Sequence, residues 1–248
     1  MLRVLYFLLL CAAAANAVVT IAPVVIGDKP GFSAKLQASL ETKRGNTESD
    51  TYGGGLRLSY DNNSSYVIWS ELSANYAKAS GTTNTNNTFV HIRYIHTLPI
   101  KKLDYETFVQ SQTNEFTKIA ERALAGGGFR LHLRDKQLGD LFFGAGAFYE
   151  YIRYTSALNP DENNIRLNFY ISYVKTLIPG SKFSYIAYYQ PKVDQFSDYF
   201  ISNAAQLSVH IYKQLFLSFE ILYDRDSKPA IGVKKDDFTQ NTSLIYSF

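Results

Sequence analysis

Hydrophobic and polar residues alternate with a period of two along most of this chain from residue 31 onward. Between Leu215 and Tyr223 every second residue is aliphatic or aromatic, and the residues between them include Ser218 and Glu220. Successive side chains of a β-strand point to opposite faces, so the alternation predicts strands with one apolar and one polar face. No long amphipathic helical pattern follows residue 17, and we therefore predict an all-β fold.

The alternating segments number about twelve, and most reach the roughly 9–11 tilted residues that cross an apolar membrane core. They cover residues 31–42, 52–61, 65–78, 88–97, 103–112, 121–134, 140–155, 164–176, 182–191, 200–212, 214–225 and 238–248. Connections such as 62–64 are short, whereas 43–51, 79–87 and most other alternate connections are longer and more polar. Transmembrane barrels have short periplasmic turns and longer outer loops. We therefore predict a single antiparallel transmembrane β-barrel, an up-and-down meander, over residues 31–248.

The N-terminus has the features of a secretory signal peptide. Arg3 is the only early charge, an apolar run follows from Val4 to Leu10, and Ala15-Asn16-Ala17 fits the small-x-small cleavage pattern. We predict a signal peptide over residues 1–17 and an N-terminal periplasmic segment over residues 18–30. An uncleaved anchor helix is the alternative, because apolar residues resume immediately after the alanines.

Charged side chains recur on the polar face of nearly every predicted strand. A soluble, lipocalin-like barrel would bury the apolar face, whereas a membrane barrel would turn it toward lipid and enclose the charges. The charges favour the second arrangement. The predicted lumen-lining residues are Lys35, Arg57, Glu71, Arg93, Asp104, Glu106, Arg130, Glu150, Arg166 and Glu220. Basic and acidic groups nearly balance, so we expect ion pairs across a narrow lumen, partly closed by inward Phe142, Phe148, Tyr170 and Phe216.

Aromatic residues support the same orientation. Tyrosines on the apolar face lie near strand ends, where an apolar ring with a polar hydroxyl suits the membrane interface. The alternative explanation is that tyrosine simply has a high strand propensity. They are Tyr60, Tyr66, Tyr94, Tyr105, Tyr151, Tyr223 and Tyr246. The terminal Leu244, Tyr246 and Phe248 are spaced by two, which resembles the C-terminal assembly signal of outer-membrane proteins. We expect the barrel-assembly machinery, outer-membrane lipids and lipopolysaccharide as partners.

The remaining composition excludes several function classes. The net charge of +3 is spread along the chain without a dense basic run, so no nucleic-acid partner is expected. The only cysteine, Cys11, lies in the predicted signal, and no HExxH, CxxC or phosphate-loop motif occurs, so we expect neither metal nor cofactor. Ser208 and His210 with Glu220 could suggest a hydrolase. Hairpin pairing, however, places Glu220 two inward positions away from His210, which favours a lining role.

Several short segments of the chain form a recognisable set. They are Gly31-Phe32-Ser33, Arg44-Gly45-Asn46-Thr47-Glu48-Ser49, Gly126-Gly127-Gly128-Phe129-Arg130, Gly144-Ala145-Gly146, Tyr223–Pro229, Gly232–Asp236 and Tyr246-Ser247-Phe248. In these segments the sequence resembles the YdiY-type salt-induced outer-membrane proteins, a family of poorly defined activity. The resemblance spans residues 31–248 and is most specific in the last 26 residues. It implies a bacterial outer-membrane location and offers no catalytic residues to transfer.

Together these observations predict a non-enzymatic outer-membrane barrel, porin-like, acting as a narrow small-solute channel or as an envelope salt-stress component. The alternative is an outer-membrane hydrolase that modifies lipid or lipopolysaccharide. A soluble periplasmic barrel is a third hypothesis for the protein.

Overall fold

The computed structural model describes residues 24–43, 49–79, 82–115 and 117–248. Within them, twelve antiparallel strands form one closed sheet in which each strand pairs with its sequence neighbours and the last pairs with the first. The strands are β1 (Gly31–Lys43), β2 (Ser49–Asp61), β3 (Tyr66–Ala79), β4 (Thr82–Thr97), β5 (Leu103–Asn114), β6 (Ile119–Asp135), β7 (Gly139–Tyr154), β8 (Glu162–Ile178), β9 (Ser181–Pro191), β10 (Tyr199–Tyr212), β11 (Leu215–Asp226) and β12 (Asp236–Ser247). The predicted all-β meander barrel is confirmed.

The longest connections of the barrel all lie at one of its two ends. The connections at one end, which we call the short-turn end, include residues 136–138, 179–180 and 213–214, and both β1 and β12 also reach this end. The other end carries longer connections such as 155–161 and 227–235. Short turns of outer-membrane barrels face the periplasm, which gives this barrel its orientation.

One predicted loop is largely strand. Residues 79–87 were expected as a loop, yet β3 and β4 continue pairing beyond Asn75↔Asn87 to Ala79↔Thr82. The sequence from Thr82 to Asn87 contains only threonine and asparagine, so it offers no apolar alternation from which a strand could be recognised. The hairpin therefore extends further than the pattern predicts.

The barrel closes where the two ends of the chain meet. β1 and β12 pair from Lys35↔Ser247 to Ala38↔Leu244. Ala34 and Phe248 then exchange backbone hydrogen bonds of 2.8 and 2.9 Å. Closure leaves no free sheet edge along this stretch, as a membrane-spanning sheet requires.

The outer face of the barrel is an apolar belt. Large side chains on this face are more than a third exposed, a contiguous apolar surface far larger than monomeric soluble proteins present. The belt includes Phe32, Leu36, Ile68, Leu72, Val90, Ile92, Val109, Phe129, Phe143, Phe169, Ile171, Phe219, Ile221 and Leu244. Lipid contact removes this surface from water. In the described part of the chain, no helix has the length and apolar character needed to span a bilayer.

Aromatic rings form a row on the outer face near the short-turn end. The ring centroids of Tyr60 and Tyr66 lie 6.1 Å apart, those of Tyr66 and Tyr94 5.7 Å apart, and those of Tyr94 and Tyr105 5.9 Å apart. Such amphipathic rings suit the boundary between acyl chains and head groups.

Candidate functional site: the barrel lumen

A buried charge network fills one side of the lumen toward the long-loop end. Glu150 accepts hydrogen bonds from Arg122 Nε at 2.8 Å and from Arg166 Nε at 2.6 Å. Arg166 also donates to Asp198 Oδ1 at 2.9 Å. Both guanidinium groups stack on Phe200, at 4.5 and 4.3 Å from the ring centre. Two positive and two negative groups thus compensate one another where water is excluded.

Two further ion pairs continue along the same wall. Asp104 and Arg130 oppose each other on β5 and β6 and lie 2.8 Å apart, while Arg93 and Glu106 on β4 and β5 lie 3.2 Å apart. Arg130 also stacks on Phe142 at 4.7 Å. These pairs join neighbouring strands. Among the described residues, the ion pairs of the lumen do not span it from wall to wall as expected, because adjacent strands bring inward side chains much closer together than opposite walls do.

Trp69 is at the centre of the next part of the lumen wall, on β2 to β4. Trp69 on β3 lies between Arg57 and Arg93, whose guanidinium carbons are 4.6 and 5.8 Å from its ring centre. The imidazole of His91 stacks on the Trp69 indole, with the ring centroids 5.0 Å apart. Arg57 pairs with Glu71 directly across β2 and β3, with Nε 2.8 Å from the carboxylate.

From Arg57 and Glu71 onward, the lumen is open to water along the strands that form or lie beside the β1–β12 seam. Lys35 and Gln37 on β1 are exposed although they share the inward face, and Glu220 on β11 is half-buried. The Arg57 and Glu71 side chains are 14% and 29% exposed, compared with 1% or less for Arg122 and Glu150. We name this water-accessible side the open lane; its lining residues are Lys35, Gln37, Arg57, Glu71, Glu220 and Asn241.

Hydrogen bonds order part of the open lane. Gln37 Nε2 donates to Ser243 Oγ at 2.9 Å across the seam, and Asn241 Nδ2 lies 3.4 Å from a Glu220 carboxylate oxygen. Lys35 has no carboxylate partner among the residues that the structure describes. The lane therefore presents both a cation and carboxylates to water.

The predicted inward aromatic residues occupy different environments. Phe142, Phe148 and Tyr170 are buried, whereas Phe216 is half-buried beside His210, with ring centroids 5.2 Å apart. A Cβ added to Gly144 would lie 2.0 Å from Tyr170 Cε1, so only glycine leaves room for that ring. The filled wall thus depends on packing as well as on charge.

The residues of the hydrolase alternative do not assemble into a triad. Across β10 and β11, Ser208 pairs with Ser218, His210 with Phe216, and Gln206 with Glu220. The Nε2 atom of His210 lies 2.7 Å from the Lys213 carbonyl oxygen at the turn. In the described ranges, no cluster of three or more histidine, cysteine or acidic residues is placed to hold a metal ion.

The sequence pattern missed two members of the buried network, Arg122 and Asp198. Arg122 shares its strand parity with Arg130, so counting in steps of two could have found it. Asp198 lies in the loop before β10, where hydrophobic and polar residues do not alternate, so the sequence pattern could not identify it.

Residues 24–30, which precede β1, enter the lumen from the short-turn end. Val25 is buried within a cluster that includes Phe142, Ile186 and Leu222 from the barrel wall. The carbonyl oxygen of Val24 accepts a 2.9 Å hydrogen bond from Arg130. The part of the expected periplasmic segment that the structure describes therefore lies inside the barrel mouth.

One family of proteins matches most of this chain. Residues 36–248 match the family described as "Protein of unknown function, DUF481". The chain belongs to the DUF481 family. No curated protein is significantly similar to this DUF481 chain.

Solved structures with the same architecture include outer-membrane channels. The COG4313 outer membrane channel from Pseudomonas putida F1 superposes with a TM-score of 0.56 at 11% identity, covering 91% of this chain and 100% of that one. The NanC porin gives a TM-score of 0.50 at 13% identity, covering 87% of this chain and 97% of that one. At these identities the likeness establishes the fold. A closed twelve-strand barrel with an apolar belt belongs in the bacterial outer membrane.

Proposed function

We propose that this protein is a non-enzymatic channel that passes small hydrophilic solutes through the outer membrane. The observation that carries the proposal is the open lane. Its polar side chains face water along one side of a lumen whose other side is filled by buried ion pairs and rings. An eight-strand barrel is filled by side chains and a sixteen-strand porin holds an aqueous channel, so a twelve-strand barrel filled on one side suits a narrow path.

Recordings in planar bilayers test this proposal. Purified protein is expected to give small, discrete conductance steps. Gln37→Trp should lower the step size, because the bulky indole would project into the lane. Leu36→Trp is the matched control, since Leu36 is the adjacent residue, is 47% exposed on the opposite face and meets lipid. Absence of steps from the unmodified protein, or equal steps from Gln37→Trp and Leu36→Trp, would count against a channel through this lane.

The sequence resemblance to YdiY-type proteins supports a second, physiological proposal, that the protein serves in the envelope response to salt. Quantitative immunoblots of outer-membrane fractions from the source bacterium, grown at low and at high salt, test it. A rise in protein at high salt is expected, and an unchanged amount would contradict the proposal.

A further inference from the structure

The apolar residues ahead of β1 lie between two apolar surfaces on opposite walls of the lumen. Val25 packs into the first cluster, which comes from β7 to β11, whereas Val24 and Ile26 pack against the second, from β3 and β4. The wall residues of these clusters are Phe142, Tyr170, Ile186, Tyr188, Ala204 and Leu222 on one side, and Val67, Trp69, Phe89 and Ile95 on the other. The segment thus bridges the lumen from wall to wall.

Polar contacts fix the same segment to four sides of the barrel mouth. The partners belong to β2, β6, β9 and β12, so no single strand carries the segment. The contacts are Gly27 N to Asp61 Oδ2 at 2.6 Å, Arg130 to the Val24 carbonyl at 2.9 Å, Lys182 Nζ to Asp28 Oδ2 at 2.6 Å, and Lys29 Nζ to Ser247 Oγ at 3.0 Å.

A glycine turn produces this inward path. Gly27 has a φ of 83° and Gly31 a φ of 87°, in the left-handed region that glycine adopts without a steric penalty. The Asp28 amide also donates to the Val25 carbonyl at 3.3 Å. The chain therefore reverses between Gly27 and Gly31 and returns into the barrel instead of continuing away from β1.

We propose that residues 24–30 form an N-terminal plug that gates the short-turn mouth, a role that rests on the channel function proposed above. The inner part of the plug, at Val25, is buried, whereas its outer part, at Asp28, is exposed to solvent. Val25 is 7% exposed, whereas the side chains of Asp28 and Lys182 are 42% and 43% exposed. Exposed ion pairs contribute little to stability and are screened by salt. The contact between Asp28 and Lys182 is therefore the part of the plug that releases most readily. Release of the plug opens the mouth toward the open lane.

Reversible cross-linking tests the gate. Asp28→Cys and Lys182→Cys are combined with Cys11→Ser, which removes the only natural cysteine. A short bifunctional methanethiosulfonate then joins the two thiols, because a cysteine side chain is much shorter than the lysine whose Nζ reaches Asp28. Conductance steps should be lost after cross-linking and should return with reductant. Unchanged steps in the cross-linked protein would overturn the gate.

A second measurement does not depend on conductance. In the Cys11→Ser background, Val25→Cys is labelled with a membrane-impermeant maleimide and compared with Leu158→Cys, which replaces a 73% exposed loop residue. Val25→Cys should react much more slowly, and adding Lys182→Ala should accelerate its reaction. Labelling of Val25→Cys as fast as Leu158→Cys would show that the plug is not seated. Equally slow labelling with and without Lys182→Ala would show that it is fixed. If no variant conducts, the proposed channel function is wrong, but the labelling rates still show whether residues 24–30 are seated in the lumen.

Discussion

Replacing Glu150 by glutamine tests whether the buried charge network holds the filled wall together. The substitution keeps the shape of the side chain and removes its charge. Arg122 and Arg166, whose side chains are 1% and 2% exposed, both lose the charge of Glu150, while Arg166 keeps its contact with Asp198. Breaking a buried ion pair by neutralising one partner costs about 3–5 kcal/mol, because the remaining charge stays desolvated and uncompensated. We expect Glu150→Gln to lower the free energy of unfolding by an amount in that range.

Urea unfolding of the detergent-refolded barrel measures this loss. Trp69 is the only tryptophan and is buried, so its fluorescence reports unfolding directly, and the shift of unboiled protein on a gel gives an independent reading. Glu121→Gln is the matched control. Glu121 pairs with Arg153 at 3.1 Å on the exposed surface, where such a pair contributes at most about 1 kcal/mol. If both variants lost the same small amount, the network would not stabilise the wall as we argue.

Two other substitutions have equally direct controls. Gly144→Ala should destabilise the barrel by about 1–3 kcal/mol, since the new methyl group meets the Tyr170 ring, whereas Gly54→Ala, with no atom within 4 Å of the added Cβ, should change urea stability by less than about 0.5 kcal/mol. Equal effects would refute the packing argument. We further propose that the assembly machinery reads the terminal aromatic, so Phe248→Ala should reduce the amount of folded barrel in outer-membrane fractions. Phe238→Ala, which replaces a similarly exposed phenylalanine of β12, should not; equal yields would contradict this proposal.

Period-two alternation predicted the strand number and the meander because lipid imposes a continuous apolar requirement on one face of every strand. The same requirement explains where the pattern was uninformative. The inward face does not have to be polar. Residues such as Val67 and Ile95 therefore interrupt the alternation of apolar and polar residues without ending a strand. Beyond the membrane neither face is constrained, and the threonine- and asparagine-rich start of β4 was therefore missed.

Partners within the lumen were harder to predict than the lining itself, because pairing depends on register. Arg57 and Glu71 lie directly opposite each other in a hairpin with a short turn, and turn length fixes such a register from sequence. Asp104 and Arg130 are also directly opposite, but a register shift between Gln112 and Asn114 lies between this pair and its turn, so turn length alone gave no register. The contact of Arg166 with Asp198 depends on the conformation of a loop.

The inward apolar residues and the apolar stretch before β1 explain each other. Considered separately, Trp69 and Phe142 look like exceptions on a polar lining, and Val24 to Ile26 look like surplus hydrophobic chain. A wide barrel cannot fill its lumen from the wall alone, since diameter grows with strand number while side chains have a fixed reach. Water or an additional segment then occupies the remaining volume, and a segment that packs there must match the apolar character of the wall positions it touches. Apolar interruptions on the inward face, together with an apolar segment ahead of the first strand, therefore indicate a plug, and hydrophilic inward positions away from them indicate the path left for water.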